Sequence, residues 1–542
     1  MSSVKIIPKK LKGTIEIPPS KSLAHRAIIA AGLAYGESII ENIEYSKDIL
    51  ATIEGMENFG VKIEEINNEI ETKNANNKVN TEKINNKNEV EKIDSKIELK
   101  EINNKNEVQY VNSDVEKENI SKEVSMEYIN DARKVTLKIK GTSNIKIQNE
   151  IIDCIESGST LRFLTPIALL QGEDEVTFIG RGKLPERPLD EYYSIFNKQN
   201  IFYKNNNGKL PLSIKGKLRS GDFYVKGNIS SQFITGLMFA LPLLDRDSKI
   251  IITSNLESKP YVDLTIDMLK KFGIEIDNNG YKEFYIKGNQ KYKSRKYKVE
   301  GDFSQAAFWL IGGLLGEGIK CENLDINSLQ GDKEILNVIR KMGGNLTINE
   351  SFIQSTLKLI NKKNGIFNDE TDLKLINEKN KTFDDETDFI RNNFSKLIKE
   401  TFENTSQRDT MTIDASQIPD LVPILAVAGT AKYGVTKIIN AQRVRIKECD
   451  RLHAIACELN KIGGDIKELQ DGLIINGGSK LKGGEVESWN DHRIAMALGI
   501  ASSLCQEPLI IKNSEVVEKS YPDFWEDFKK LGGDVLEWNM GK

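Results

Sequence analysis

Apolar and polar positions along the chain repeat one local pattern. A segment with helical amphipathicity stops at a glycine, and a β-rich segment follows. The stops are Met56-Glu57-Asn58-Phe59-Gly60, Met268-Leu269-Lys270-Lys271-Phe272-Gly273, Ile339-Arg340-Lys341-Met342-Gly343, Leu459-Asn460-Lys461-Ile462-Gly463 and Phe528-Lys529-Lys530-Leu531-Gly532. A sixth, Ile195-Phe196-Asn197-Lys198-Gln199, ends at Asn200. A helix C-terminus commonly needs a left-handed residue, which glycine supplies freely and asparagine next best. A single stop says little; their spacing says more. Three of the five gaps between stops are about 70 residues, and the first and fourth exceed that by about 70 and about 50. The chain therefore reads as six units of about 70 residues, each pairing helices with strands, with extra sequence in two gaps. That predicts an α/β or α+β architecture of two three-unit domains and leaves the topology open.

The extra sequence falls where the apolar pattern fades. Residues from about 66 to 132 are dominated by Asn, Lys, Glu and Ile, and Ile84-Asn85-Asn86-Lys87-Asn88-Glu89-Val90 recurs as Ile102 to Val108. Residues from about 362 to 408 contain Phe367-Asn368-Asp369-Glu370-Thr371-Asp372, echoed by Phe383-Asp384-Asp385-Glu386-Thr387-Asp388. Such tandem copies resemble local duplications, with too little apolar content to offset the entropy of ordering them. They are expected to be tolerated surface insertions; a partner-binding or regulatory arm is the alternative.

Composition narrows the classes. With 542 residues and 39% hydrophobic side chains, two to four domains with sizeable cores are expected. A net charge of −4, from 76 basic and 80 acidic residues, argues against a general nucleic-acid binder while allowing a local basic cleft. Met1 to Lys12 has no apolar stretch of signal-peptide type, and no apolar run approaches a membrane span. Five cysteines, an odd number with no CxxC spacing, disfavour a disulfide framework or zinc site. Three histidines make a His-rich metal site improbable, and a reducing cytoplasm is the expected location.

Several short polar segments feed apolar helices. Pro18-Pro19-Ser20-Lys21-Ser22-Leu23-Ala24-His25-Arg26 places Lys21, Ser22 and Arg26 at a helix start, with Ser20 or Ser22 as its cap. The glycines of a Walker P-loop are absent. Glu156-Ser157-Gly158-Ser159-Thr160-Leu161-Arg162 repeats the design, and Gly158 lets backbone approach a ligand. Arg181-Gly182-Lys183-Leu184-Pro185-Glu186-Arg187-Pro188 is a proline-stiffened loop with three cations. Ser230-Ser231-Gln232 and Glu257-Ser258-Lys259-Pro260-Tyr261 offer hydroxyls and amides suited to phosphate or polyol. Further on come Asp420 ahead of an apolar helix, the charged run Arg443-Val444-Arg445-Ile446-Lys447-Glu448-Cys449-Asp450-Arg451, Asn490-Asp491-His492-Arg493, and Lys519-Ser520-Tyr521-Pro522. The charged run alone would suit a solvated helix face. Together, helix starts bearing Lys and Arg suit a site for anions.

In this order, the motifs resemble the EPSP synthase family of enolpyruvyl transferases, over nearly everything but the two insertions. The resemblance implies an inside-out α/β barrel fold of two domains, each of three βαβαββ units, crossing over near Val299-Glu300-Gly301-Asp302. One domain would span 20–299, with the 66–132 insertion; the other would combine 1–19 with 300–542, with the 362–408 insertion. The implied reaction moves the enolpyruvyl group of phosphoenolpyruvate to the 5-hydroxyl of shikimate 3-phosphate, with no metal or organic cofactor. Both substrates are polyanions, the hydroxyl needs a base, and the donor's methylene carbon must gain and later lose a proton.

Carried over by motif, Lys21, Ser22, Arg26, Ser230, Ser231, Gln232, Ser258, Asp420 and Lys447 would bind shikimate 3-phosphate. Lys21, Gly158, Arg187, Gln232, Arg451, Arg493 and Lys519 would bind phosphoenolpyruvate. Lys21 would be shared between the substrates, Asp420 would accept a proton and Glu448 would donate one. Lys447 and Arg451, adjacent in sequence, would favour ionised Glu448. Three positions depart from the family pattern: Glu156 and Arg443 stand where many members have Asn, and Phe163 where many have Pro. Small-molecule partners, a monomer, no nucleic acid and no membrane are expected. The sister enzyme acting on UDP-N-acetylglucosamine has Lys-Asn where this chain has Lys21-Ser22 and lacks the set around Ser230 and Lys447. A non-catalytic shikimate-phosphate binder would have lost Lys21, Asp420, Glu448 or Lys519, and all four are present.

Overall fold

The structure is a computed structural model that describes residues 2–66, 134–142, 144–172, 174–357 and 410–537. Both polar insertions, Ile66 apart, lie outside the described residues. All six helix stops adopt the left-handed backbone that the repeat requires, with φ from 54° at Asn200 to 102° at Gly463.

The strands form six four-stranded sheets. Ile151–Asp153 pairs parallel with Val176–Ile179 across the helix Gly158–Ala168. After the helix Asp190–Gln199, the hairpin Phe202–Asn206/Lys209–Lys215 completes the sheet antiparallel. The other five sheets repeat this βαβαββ order, and three of them borrow a strand from far along the chain. Lys296–Lys298 pairs with Gly36–Ile43, Gly13–Glu16 with Ile319–Glu322, and Ser3–Ile7 lies between Leu509–Lys512 and Asp534–Glu537.

Two separate apolar cores result. One runs from Leu23 to Val299; the other joins Val4 to Ile17 with Phe303 to Val535. The chain passes between them twice, side by side. Pro19 bridges Gly301, Ser20 N–H donates to Glu300 at 2.8 Å, and Asp302 N–H donates to Pro18 at 2.9 Å.

Each unit has one helix buried on nearly every side and one amphipathic helix that carries the glycine or asparagine stop. Ser231–Ala240 buries all but Gln232, and His492–Ala501 is buried throughout. Phe303–Leu315, Val422–Ala431 and His492–Ala501 pack on one another inside the second core. A helix apolar all round has its backbone bonds satisfied internally and leaves only its ends as polar features. The fold puts the starts of these helices to use.

Candidate functional site

The starts of six buried helices, three from each core, line one cleft. Lys21–Leu33, Gly158–Ala168 and Ser231–Ala240 bring Lys21, Ser22, Arg26, Gly158, Ser159, Ser230, Ser231 and Gln232. Phe303–Leu315, Val422–Ala431 and His492–Ala501 are entered through Asp302, Asp420 and Asp491. Orphan amides and helix dipoles therefore face the space between the cores, which favours anions. The cavity is about 120 Å³, roughly ten times what one water requires.

Most of these starts are capped as their sequences suggest. Ser157 accepts from Thr160 N–H at 3.1 Å, Ser230 from Gln232 at 3.3 Å, and Asp491 from Arg493 at 2.8 Å. The first helix differs from expectation. Ser20 occupies its cap position without a side-chain cap bond, and Lys21 N–H donates instead to Asp302 of the other core, at 3.2 Å.

All the expected site residues except Lys519 line the cleft. Lys519, 5% exposed, sits beside it with Nζ 2.8 Å from the Glu156 carboxylate. Burial works against the Lys519 charge, but Glu448, Asp48 and Glu156 outweigh it and hold its pKa above the ordinary lysine value. Gly158 closes the pocket tightly: a Cβ there would lie 2.8 Å from Arg187 and 3.0 Å from Arg162.

Arg451 organises the acids. Only 1% exposed, it donates to Asp420 at 2.8 Å, Glu448 at 2.7 Å and Asp491 at 2.7 Å. Arg187, from the other core, holds the second oxygen of Glu448 at 3.1 Å. Burial pushes the Glu448 carboxyl up, yet Arg187, Arg451 and Lys519 outweigh it and keep Glu448 ionised well below the usual range. Lys447 pairs with Asp420 at 3.6 Å and attracts Glu448 as its sequence position suggests, and Arg187 and Lys519 add to the positive charge around Glu448. Burial is likewise outweighed at Asp420, by Arg493, Lys447 and Arg451.

Other residues in or beside the cleft escaped the sequence reading. Asp48 binds Lys21 at 2.7 Å; burial pushes its carboxyl up, but Lys21 and Lys519 outweigh that and lower it. The Tyr261 hydroxyl reaches across the cores to Asp420 at 2.9 Å and Asp332 at 3.3 Å. Burial and then Asp420 push Asp332 upward, so Asp332 holds its proton more readily than its neighbour. Arg162 donates to Gln232 at 2.8 Å. Neither ring nitrogen of buried His492 has a hydrogen-bond partner among the described residues; burial and Lys21 keep it neutral. Arg162, Tyr261 and His492 stand inside motifs already singled out. Asp48 had no comparable local signal. Arg443 lies in the cleft beside Ser258, to which it donates, and pairs with Glu257 at 3.0 Å. Burial and Asp491 raise the Cys449 thiol pKa far above the ordinary value, which disfavours a thiolate there. Among the described residues, no cluster of three or more His, Cys, Asp or Glu is placed to hold a metal ion.

Six βαβαββ units in two cores thus clasp a cleft lined by cations of both, with ionised Asp420 and Glu448 among them, an arrangement suited to anionic substrates. The profile of one family, EPSP synthase (3-phosphoshikimate 1-carboxyvinyltransferase), matches residues 6–91, 117–372 and 364–528. Proteins named 3-phosphoshikimate 1-carboxyvinyltransferase are similar over whole chains. That of Clostridium novyi is 51% identical over 542 residues, covering 100% of both chains. That of Clostridium acetobutylicum is 48% identical over 543 residues, again covering 100% of both. The fold is similar to that of EPSP synthase from Acinetobacter baumannii, with TM-score 0.67 at 20% identity, over 99% of this chain and 100% of the other. The chain belongs to the EPSP synthase family.

Proposed function

We propose that the cleft transfers the enolpyruvyl group of phosphoenolpyruvate to the 5-hydroxyl of shikimate 3-phosphate and releases phosphate. The observation that carries this reading is Arg451 gripping Asp420 and Glu448 together, at 2.8 and 2.7 Å, amid cations from both cores. Two polyanions need that charge, and two proton transfers need two carboxylates.

In this reading Ser230, Ser231 and Ser258 hold the 3-phosphate with Lys21, Ser22 and Arg26, while Asp420 and Lys447 orient the shikimate ring. Gly158, Arg187, Arg451, Arg493 and Lys519 hold the donor, and Lys21 and Gln232 touch both substrates. Asp420, ionised, accepts the 5-hydroxyl proton as that oxygen attacks C2 of the donor. Glu448 delivers a proton to C3, and in the second half takes one back as the C–O bond to phosphate breaks. Arg187 and Arg451 depress the Glu448 pKa. An anionic donor that draws on those same guanidiniums raises its proton affinity, so loading of Glu448 is coupled to donor binding. Shikimate 3-phosphate draws on cations of both cores at once, so its binding favours closure.

The cleft is assembled within one chain, which supports a monomer. No helix of the described residues is long and apolar enough to cross a membrane. Five free thiols favour the reducing cytoplasm. The relatives' names and the serine set around Ser230 favour shikimate 3-phosphate over UDP-N-acetylglucosamine as acceptor. Phosphate release with both substrates, and with each omitted in turn, tests the assignment. Release only with both supports it, and release without shikimate 3-phosphate, or none, sinks it.

A further inference from the structure

The cations assigned to the donor lie close to carboxylates of the protein itself. Glu448 serves Arg187 at 3.1 Å and Arg451 at 2.7 Å. Lys519, which Glu448 and Asp48 also attract, makes its direct ion pair with a different group, Glu156, at 2.8 Å. The pair joins the two cores: Glu156 precedes the Gly158–Ala168 helix, and Lys519 precedes the last helix, Phe524–Lys530. Its side chains are 27% and 6% exposed, so water screens the contact only in part.

Among the described residues, Glu156 makes no other ion pair. In the adjacent loop, Arg181 pairs with Asp153 and Lys183 with Glu186. Between them Gly182 has φ of 60°, and a Cβ there would lie 2.7 Å from the Glu156 carboxyl carbon. The loop thus presents bare backbone to the carboxylate. An asparagine at this position would add no charge.

We infer that Glu156 is a built-in competitor for Lys519: its carboxylate must yield when an anionic donor engages that lysine, and it returns to help expel product phosphate. Glu156 is therefore a specificity-determining residue for small anions. The inference rests on the assignment of Lys519 to the donor pocket proposed above.

The test is Glu156→Gln, which keeps the shape and removes the charge. Inorganic phosphate, titrated calorimetrically into the full chain, should bind about 3–10-fold more tightly to the variant, the range for losing one partly screened competing charge. The KM for phosphoenolpyruvate should fall by a similar factor, while the KM for shikimate 3-phosphate stays put. In a Lys519→Met background the same substitution should leave phosphate affinity unchanged. Unchanged or weaker phosphate binding by Glu156→Gln overturns the inference, as does an equal effect with Lys519→Met. The two readings fail separately. If no phosphate is released from the two substrates together, the proposed reaction is lost, yet the titration still decides whether Glu156 competes at Lys519.

Discussion

Replacing Arg451 by Met removes the centre of the acid cluster, and the structure says where the damage falls. Glu448 keeps Arg187 at 3.1 Å, and Asp420 keeps Arg493 at 3.4 Å and Lys447 at 3.6 Å. Asp491, 0% exposed, has no second ion-pair partner among the described residues; it keeps the backbone N–H of Arg493 and the Cys449 thiol. Leaving one charge buried without its partner costs about 3–5 kcal/mol. Arg451→Met should therefore lose about that much stability at pH 7, and adding Asp491→Asn should restore more than half of it. Urea unfolding followed by tryptophan fluorescence reads this, since Trp309, Trp489 and Trp525 all lie in the second core or against it. The pH dependence has a fixed sign. Asp420 and Glu448 have lowered pKa values in the folded chain, so their pairing adds stability above the ordinary carboxylate value, near pH 4, and loses it as pH falls through the folded values. The gap between wild type and Arg451→Met should accordingly narrow below about pH 4. A loss under about 1 kcal/mol at pH 7, or no recovery with Asp491→Asn, would refute the assignment of the cost to an unpaired Asp491.

Other consequences can be checked in parallel. Ile66 pairs with Thr136 at the end of an antiparallel ladder, so the ends flanking the first insertion are already neighbours. Replacing residues 68–130 and 364–406 with Gly/Ser linkers should leave a folded, active enzyme, and loss of soluble expression or of most activity would contradict this. Cys449→Ser should keep activity within about tenfold, because no step uses a thiolate; a fall of several orders of magnitude would restore a role for sulfur. Shikimate 3-phosphate should give a more compact particle by small-angle scattering, and an unchanged profile at saturation would count against substrate-driven closure. Asp420→Asn should lower turnover by about 10²–10⁴-fold and weaken shikimate 3-phosphate binding. Steady-state kinetics with direct binding would separate the two effects.

The sequence displays the fold through features that act locally. Left-handed stops such as Asn200 and Gly463 are dictated by helix termination, so their spacing exposes the six units before any tertiary contact is considered. The polar turns opening the buried helices, such as Ser230-Ser231-Gln232, are legible for the same reason: a cluster of polar residues directly before an apolar run marks where the helix starts. What depends on approach between distant elements is hidden. Asp48 lies in an amphipathic helix whose pattern is already satisfied, and only tertiary packing brings it to Lys21. The flanking cations Lys447 and Arg451 act on Glu448 as their sequence positions suggest, whereas Arg187 and Lys519 are hidden because they approach only in space. After the turn Gln442–Ile446, Lys447 faces Asp420, and Arg187 arrives from the other core. The missing Ser20 cap has the same origin, since Asp302 reaches Lys21 N–H across the crossover.

The role of Glu448 as the group that moves a proton at carbon is open to one direct measurement. With both substrates in deuterium oxide, wild-type enzyme should place solvent deuterium in the donor methylene through reversible addition. Glu448→Gln should slow that exchange by about 10²–10⁴-fold while leaving shikimate 3-phosphate affinity nearly intact. Exchange by Glu448→Gln at the wild-type rate would show that another group carries the proton, and the assignment of this carboxylate would be wrong.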